Sequence, residues 1–308
     1  MRAAIIQEIG EVPIVGRYRE PVAGDGEVVV EVTLAGLNPV DRLRAEGYEY
    51  LSPVAPFVAG REGVGLLNGE RVYFHEAVEP YGSFAERALV RADSILKVPE
   101  GLTDEQTIPL GVAGLTAWVS LTDEARMTGG ERVLVTGATG MVGQIATQGA
   151  KLLGASHVVA AGRNQTVLRS LLDRGADQIV VLDDNPGPAI AATAGEGFDV
   201  VVDCVFGPHF VAALNATAPG ASVVVVGLTA GTRVELEFFS LYRRRISGLQ
   251  MAAVPVPDRQ RAFNEMAEHT LAGRLRVDTE RFALGEVALA WGELLAGAHR
   301  KLLIAPRE

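Results

Sequence analysis

The segment V-L-V-T-G-A-T-G-M-V-G-Q-I-A-T-Q-G-A-K-L-L-G-A, residues 133–155, decides the fold of this chain. Four β-favouring residues precede glycines at 137, 140 and 143, and apolar or small residues then recur at helical spacing. This order predicts a strand, a tight turn and a helix. Glycine lets the backbone approach a pyrophosphate closely, and the helix N-terminus offers that anion N–H groups and a partial positive charge. The segment therefore predicts a dinucleotide-binding turn, whose backbone contacts come from Gly137, Gly140, Met141, Val142 and Gly143.

The elements after this turn indicate a doubly wound α/β domain. A glycine motif alone is a weak signal, but here apolar strands alternate with helices. Such alternation is typical of a parallel sheet covered by helices on both faces. The further predicted strands are 158–161, 179–182, 200–204, 222–226 and 246–252, and the further predicted helices run through Leu168, Leu171 and Leu172 and over 210–216.

The end of the second strand predicts which dinucleotide is bound. An NAD site usually has an acidic residue there, whereas a 2′-phosphate favours a cation. This chain has Gly162-Arg163-Asn164, with Arg163 twenty residues after Gly143 and no acid beside it. We therefore expect NADPH, bound through the Arg163 guanidinium; the alternative is an ordinary solvated arginine. The ends of later strands should also border the cofactor, although loop packing explains them nearly as well; these residues are Cys204, Val205, Gly227 and Leu228.

The composition limits the class of protein. A chain of 308 residues, 48% hydrophobic and 21% charged, suits two globular domains. A net charge of −10 and a pI near 5.1 argue against a nucleic-acid partner, because phosphate binding needs a basic face. The chain has neither an apolar leader nor a segment of membrane-spanning length, so we expect a cytoplasmic protein with no membrane partner. Its single cysteine, Cys204, excludes internal disulfides.

The residues before the turn suggest a second, mostly β domain. Short β-like runs lie between glycines and prolines. Four phrases occur there in order: A-G-L-N-P-V-D-R-L-R-A-E-G-Y (35–48), P-F-V-A-G-R-E-G-V-G (56–65), G-S-F-A-E (82–86) and G-L-T-A-W (114–118). With the glycine turn, they resemble the zinc-free quinone oxidoreductase (zeta-crystallin-like) branch of the medium-chain dehydrogenase/reductase family. The resemblance implies a Rossmann domain over 109–252, inserted in a GroES-like catalytic domain formed by 1–108 and 253–308.

The resemblance also bears on zinc. The zinc alcohol dehydrogenases of this family carry a cysteine where Asn38 stands and a histidine where Arg61 stands. With one cysteine and five scattered histidines, no tetrahedral set of ligands can be assembled at plausible spacing, so we expect no metal. One departure concerns the C-terminal phrase H-R-K-L-L-I, residues 299–304, which replaces a usual glycine-lysine phrase and leaves the contacts there open.

The resemblance implies that Asn38, Asp41 and Tyr48 lie beside the nicotinamide and that Thr116 contacts it. Tyr48 aligns with the proton-donating tyrosine of related enoyl reductases. The alternatives are protonation by water and a loop tyrosine, beside Tyr50, that packs its ring and keeps its hydroxyl in water. Asp41 is expected to orient its loop, and Thr116 has the alternative of a helix threonine bonding to its own turn.

We expect an NADPH-dependent, zinc-independent reductase that transfers hydride to a quinone or an α,β-unsaturated carbonyl compound. The alternative is a non-catalytic NADPH-binding redox sensor or structural protein. The acceptor, the use of NADH and the oligomeric state stay open, although the resemblance implies a homodimer through the sixth strand. Phe238, Phe239 and Tyr242 form either an apolar lid or part of the core.

Overall fold

The chain forms two compact units in a computed structural model that describes residues 1–48 and 53–308. The first unit comprises Met1–Val112, Val256–Leu271 and Val277–Glu308. The second comprises Ala113–Pro255 and Ala272–Arg276.

The strands and helices are numbered in chain order. The strands are β1 (Arg2–Ile6), β2 (Ile14–Arg17), β3 (Glu27–Leu37), β4 (Phe57–Val58), β5 (Glu62–Leu67), β6 (Glu70–Phe74), β7 (Arg87–Arg91), β8 (Leu96–Lys97), β9 (Arg132–Thr136), β10 (His157–Gly162), β11 (Gln178–Val181), β12 (Phe198–Asp203), β13 (Thr217–Val225), β14 (Arg245–Gly248), β15 (Thr279–Ala283) and β16 (Lys301–Ala305). The α-helices are α1 (Pro39–Ala45), α2 (Asp104–Pro109), α3 (Leu115–Val119), α4 (Met141–Leu152), α5 (Gln165–Leu172), α6 (Pro186–Ala194), α7 (Gly207–Asn215), α8 (Val256–Leu271) and α9 (Val287–Leu295).

The second unit is a doubly wound domain, as the sequence predicts. Its sheet has the strand order β11-β10-β9-β12-β13-β14, and every neighbouring pair is parallel. The apolar residues of β9, β10 and β12 are buried because helices cover the sheet. All carboxyl ends of these strands lie at one edge, where ligands bind in such folds.

Two elements of this unit differ from the sequence-based expectation. The helix α6, P-G-P-A-I-A-A-T-A, was not predicted, although Pro186 at its first position is a helix-start signal. The last strand is shorter than 246–252, because β14 ends at Gly248 and a 3₁₀ turn follows at Met251–Ala253.

The first unit is a β domain with helices at its periphery. One sheet has the order β15-β16-β3-β5-β6-β8, with β7 also pairing with β3, and a smaller sheet has the order β2-β1-β4. Most of these pairs are antiparallel, but β15 and β16 run parallel. A core that includes Phe74, Phe84 and Trp291 joins the sheets to α9.

The aromatic trio Phe238, Phe239 and Tyr242 lies at the amino ends of the strands. Its rings contact one another edge to face, and each side chain is more than half exposed. The following Arg244 donates to the hydroxyl of Thr217, the first residue of β13, over 2.6 Å. Because the carboxyl ends lie at the opposite edge, the hypothesis of a lid over the cofactor is wrong, and exposure excludes the core alternative.

Within the described ranges, 1–48 and 53–308, no helix combines the length and apolar character needed to cross a membrane.

Candidate functional site

The glycine turn after β9 is held by close backbone packing. Gly137 has a φ of +63°, and a Cβ there would lie 2.8 Å from Val205 Cγ1. A Cβ at Gly143 would lie 2.4 Å from the carbonyl oxygen of Gly137, so only glycine lets α4 start this close to the turn. These two glycines are therefore required by the fold itself.

Gly140 is different because the surrounding protein does not require a glycine there. It precedes α4 with extended backbone, and a Cβ would meet only the Gly137 carbonyl oxygen, at 3.5 Å. Bonding within α4 begins with Gln144 N, which donates to Gly140 O over 2.9 Å. The N–H groups of Met141, Val142 and Gly143 consequently have no acceptor within the helix. A space that a Cβ would fill, beside N–H groups at a helix N-terminus, fits a phosphate.

The other predicted cofactor residues mostly lie around this turn. A Cβ at Gly162 would lie 2.8 Å from Thr139 Cγ2, so the end of β10 contacts the turn. A Cβ at Gly227 would lie 2.0 Å from the Cys204 carbonyl oxygen, which joins the ends of β12 and β13. Cys204 and Val205 adjoin Gly137, and Leu228, which follows Gly227, is exposed. Burial raises the pKa of the Cys204 thiol, which favours its neutral form.

Asp203, the last residue of β12, makes hydrogen bonds at the carboxyl edge of the parallel sheet, and the sequence analysis did not single it out. The Thr136 hydroxyl donates to Asp203 Oδ1, and the backbone N–H of Phe206 donates to its Oδ2 over 3.0 Å. The carboxylate thereby links the end of β9 to the loop that contacts Gly137. The signal available in the sequence was an acidic residue at the end of an apolar strand.

Arg163 and Asn164 have separate roles at the end of β10. Arg163 is exposed and makes no hydrogen bond or ion pair with any residue in the described part of the chain. Asn164 begins α5, and its Oδ1 accepts from Thr166 N and Val167 N at 3.1 and 3.2 Å. Asn164 is therefore a helix cap, whereas Arg163 is available to a ligand.

Thr116 lies on α3, whose residue Trp118 packs beside Gly149 of α4. The Thr116 carbonyl oxygen accepts from the Ser120 hydroxyl over 2.6 Å. The described contacts do not bring Thr116 to the glycine turn, so its predicted contact with the nicotinamide stays a prediction.

In the first unit, Asn38 and Asp41 are brought together at the start of α1. The backbone N–H of Asn38 donates to Asp41 Oδ2 over 2.8 Å. Both residues are buried. Tyr48 follows the helix, its N–H donates to Leu43 O over 2.9 Å, and its side chain is partly buried. Tyr50 lies outside the described residues.

Asn38 belongs to a fully buried polar network, centred on Glu62, that the sequence did not reveal. Lys301 Nζ donates to Glu62 Oε1 over 2.5 Å and to Asn38 Oδ1 over 2.6 Å. Glu62 Oε2 accepts from the Tyr73 hydroxyl at 2.6 Å and from Val112 N at 2.8 Å. Burial alone would raise the pKa of Glu62, but Lys301 and these donors lower it below its usual range.

This network commits the side-chain amide of Asn38 completely. Because an ammonium only donates, Asn38 Oδ1 must face Lys301. Its Nδ2 donates to Glu62 Oε1 over 2.8 Å and to Gly36 O over 3.3 Å. Both amide hydrogens are thus used inside the protein.

Asp41 has one buried oxygen, Oδ1, to which none of the described residues donates a hydrogen bond. Burial raises the pKa of Asp41 to about 6, against the opposing effects of the Asn38 N–H and of Arg61, Lys301 and Arg44. Arg61 and Arg44 form ion pairs with Glu76 and Glu79, over 2.6 and 2.7 Å. A partly desolvated carboxylate therefore lies among three cations.

Within the described ranges, no group of three or more His, Cys, Asp and Glu side chains is arranged to hold a metal ion. His75, one of the five histidines, accepts from Arg259 Nη1 at 2.8 Å through Nδ1. Burial, followed by the charge of Arg259, lowers the pKa of His75 to about 4, so it is neutral.

Comparison with known proteins shows similarity over nearly the whole chain. A family model described as zinc-binding dehydrogenase matches residues 141–269. Acrylyl-CoA reductase AcuI of Ruegeria pomeroyi is 30% identical over 289 residues, which cover 88% of this chain and 87% of that protein. A phenolphthiocerol/phthiocerol polyketide synthase of Mycobacterium tuberculosis is 30% identical over 300 residues; the match covers 89% of this chain but 13% of that much longer protein. The structure of the quinone oxidoreductase from Thermus thermophilus, also described in complex with NADPH, has a TM-score of 0.80 and 29% identity, covering 99% of this chain and 100% of that one.

Proposed function

The chain belongs to the medium-chain dehydrogenase/reductase family, in its quinone oxidoreductase branch, and from this premise we propose that it is an NADPH-dependent, zinc-independent reductase of quinones or α,β-unsaturated carbonyl compounds. The names of the relatives support both acceptor classes, since one is an acrylyl-CoA reductase and another a quinone oxidoreductase.

The observation that carries the proposal is the space at Gly140 beside the N-terminus of α4. The N–H groups at the start of α4 suit the pyrophosphate. The guanidinium of Arg163, which pairs with none of the described residues, suits the 2′-phosphate. When bound, NADPH supplies the hydride. The protein then has to bind and orient the two reactants and to deliver one proton to the product.

Zinc independence is supported by the chemistry of the buried network. Lys301 Nζ occupies the position beside Asn38 Oδ1 and Glu62 Oε1, with both oxygens bound to it. An ammonium group there repels a divalent cation. Asn38 and Arg61 also replace the cysteine and histidine that the zinc-binding relatives carry, and neither side chain is a usual zinc ligand.

The first experiment measures oxidation of NADPH and NADH against quinones, enones and enoyl thioesters, with the metal content of the same sample. The proposal expects turnover with NADPH in zinc-free protein. Binding of NADPH without turnover across the panel favours the non-catalytic redox sensor, and stoichiometric zinc contradicts zinc independence.

Cofactor preference is tested with Arg163→Ala. Losing one charge-assisted contact of about 1.5–3 kcal/mol weakens NADPH binding roughly 10- to 150-fold and leaves NADH binding unchanged. Arg169→Ala is the matched control, since Arg169 is exposed on α5. Equal losses for both cofactors would remove the assignment.

Tyr48→Phe tests the proton donor. If the Tyr48 hydroxyl supplies the proton, turnover of an enone falls while hydride acceptance by a quinone changes little, because water can protonate a hydroquinone anion. Full turnover of both acceptors would leave water as the donor.

We also propose a homodimer through the sixth strand. β14 ends the strand order of its sheet, pairs with β13 on one side, and exposes Ile246. Ile246→Lys is expected to convert a dimer to a monomer in light scattering; a monomeric unmodified protein would contradict the proposal.

A further inference from the structure

The proposed reduction needs a hydrogen-bond donor for negative charge on the acceptor. When hydride adds to the β-carbon of an enone, the π-electron pair moves to the carbonyl oxygen, and the α-carbon later takes a proton as the carbonyl re-forms. The oxygen carries the charge of the enolate between these events. A donor placed at that oxygen lowers the barrier, and removing such a donor typically costs about 10²- to 10³-fold in kcat.

The residues first considered for this role do not supply the donor. Both amide hydrogens of Asn38 are bound to Glu62 and Gly36. Asp41, when ionised, only accepts hydrogen bonds. Tyr48 is already considered as the source of the proton, and its side chain or backbone makes further interactions.

Arg61 lies next to this group of residues in space. It directly precedes Glu62, whose carboxylate binds Asn38, and its charge acts on Asp41 and His75. The preceding residue, Gly60, has a φ of +86°, and a Cβ there would lie 2.3 Å from the Phe84 ring. Only glycine therefore fits the backbone turn that leads into Arg61.

The Arg61 guanidinium is held but not saturated. Its Nη2 donates to Glu76 Oε1 over 2.6 Å, while its Nε and Nη1 donate to no residue within 1–48 or 53–308. The Arg61 side chain is 16% exposed and that of Glu76 is 45% exposed. The carboxylate of Glu76 thus anchors one end of the fork, and no described residue takes up the remaining donors, which a ligand can therefore use.

We propose that Arg61 is a catalytic residue, whose guanidinium donates hydrogen bonds to the developing enolate or hydroquinone oxygen of the acceptor. This assignment rests on the proposed reductase function. It gives the zinc-free chain a permanent cation where charge develops, with Glu76 as the positioning residue that holds the guanidinium.

The test compares Arg61→Met and Arg61→Lys with unmodified protein, using NADPH and two uncharged acceptors, an enone and a benzoquinone. Arg61→Met is expected to lower kcat for both acceptors about 10²- to 10³-fold. The Kd for NADPH should not change, because the glycine turn and Arg163, which are proposed to bind NADPH, lie in the second unit. Arg61→Lys keeps the charge without the fork and should lose less. Arg87→Met is the control, since Arg87 forms a comparable ion pair with Glu20, over 2.9 Å, and should retain kcat.

A second variant distinguishes a direct action of Arg61 on the acceptor from the loss of its ion pair with Glu76. In Arg61→Met, Glu76 loses its partner, so Arg61→Met/Glu76→Gln removes that unpaired charge. The double variant stays slow if Arg61 acts on the acceptor. Recovery of kcat in the double variant, or an unchanged kcat in Arg61→Met, overturns the assignment to Arg61 while leaving the reductase function intact. Absence of turnover in the unmodified protein overturns the proposed function itself, and this assignment with it.

Discussion

Replacing Lys301 by Met should destabilise the first unit strongly. Lys301 Nζ lies 2.5 Å from Glu62 Oε1, and the two side chains are 1% and 0% exposed. Methionine keeps most of the volume of lysine but removes the cation. The Glu62 carboxylate then stays buried with neutral donors only, from Tyr73, Val112 and Asn38.

The expected loss follows from the cost of an uncompensated buried charge. Removing one partner of a buried ion pair costs about 3–5 kcal/mol, and the three remaining donors place this case near about 3 kcal/mol. Removing both charges is often close to neutral, so Glu62→Gln/Lys301→Met should recover most of the loss. In Lys301→Met alone, the pKa of Glu62 rises, so this variant should regain stability as the pH is lowered.

Urea unfolding followed by tryptophan fluorescence measures this effect. The chain has two tryptophans, Trp118 in the second unit and Trp291 in the first, so a Trp118→Phe background makes Trp291 the reporter. The unfolding free energies of the single and double variants are compared at neutral pH. A loss below about 1 kcal/mol for Lys301→Met, or a double variant as unstable as the single one, would refute the reasoning.

Three further predictions concern other described groups. The pKa of His75 is lowered from 6.5 to about 4, so roughly 3 kcal/mol of stability is fully present above pH 6.5 and is lost as the pH falls toward 4. In urea titrations at several pH values, His75→Gln should make the unfolding free energy depend less on pH over this range. The raised pKa of Asp41, about 6, acts in the opposite direction, so Asp41→Asn should raise the unfolding free energy at pH 8 by about 1–3 kcal/mol, and no gain would contradict this account. Gly140→Ala should weaken NADPH binding about tenfold or more in fluorescence titration without lowering the Tm. Gly143→Ala should instead cost about 1–3 kcal/mol of stability, because its Cβ would lie 2.4 Å from a carbonyl oxygen. Equal effects of the two changes on the Tm would contradict the assignment of the space at Gly140 to the cofactor.

The sequence predicts the second unit well because its signals are local. Buried parallel strands are continuous apolar runs, and the glycine turn needs special backbone geometry at neighbouring positions. α6 escaped notice because its small and apolar residues carry little helical periodicity, and the length of β14 depends on how its chain meets β13. The assignment to the medium-chain dehydrogenase/reductase family is confirmed, as is the fold class, but it came from ordered phrases and not from periodicity.

The candidate site was predicted only in its local parts. The contact between Gly143 and Gly137 follows from nearby sequence, whereas Gly137 also meets Val205, and the network of Glu62 depends on partners at positions 38, 73, 112 and 301. No local pattern reveals such a meeting of distant residues. The same is true of the saturated amide of Asn38, which is visible only once Lys301 is placed beside it.

The position of Lys301 also has a consequence for how the chain is made. Its partner Asn38 lies 263 residues earlier, and β16 inserts between β15 and β3, which carries much of the first unit's core. Domains generally fold as units during synthesis, beginning from the N-terminus. Here Ala113–Pro255 of the second unit leaves the ribosome before β16 does. The sequence of the second unit is therefore complete before β16 emerges, and until then Ala35, Gly36 and Leu37 of β3 lack the strand that pairs with them in the folded protein, which leaves this stretch of edge open to other chains.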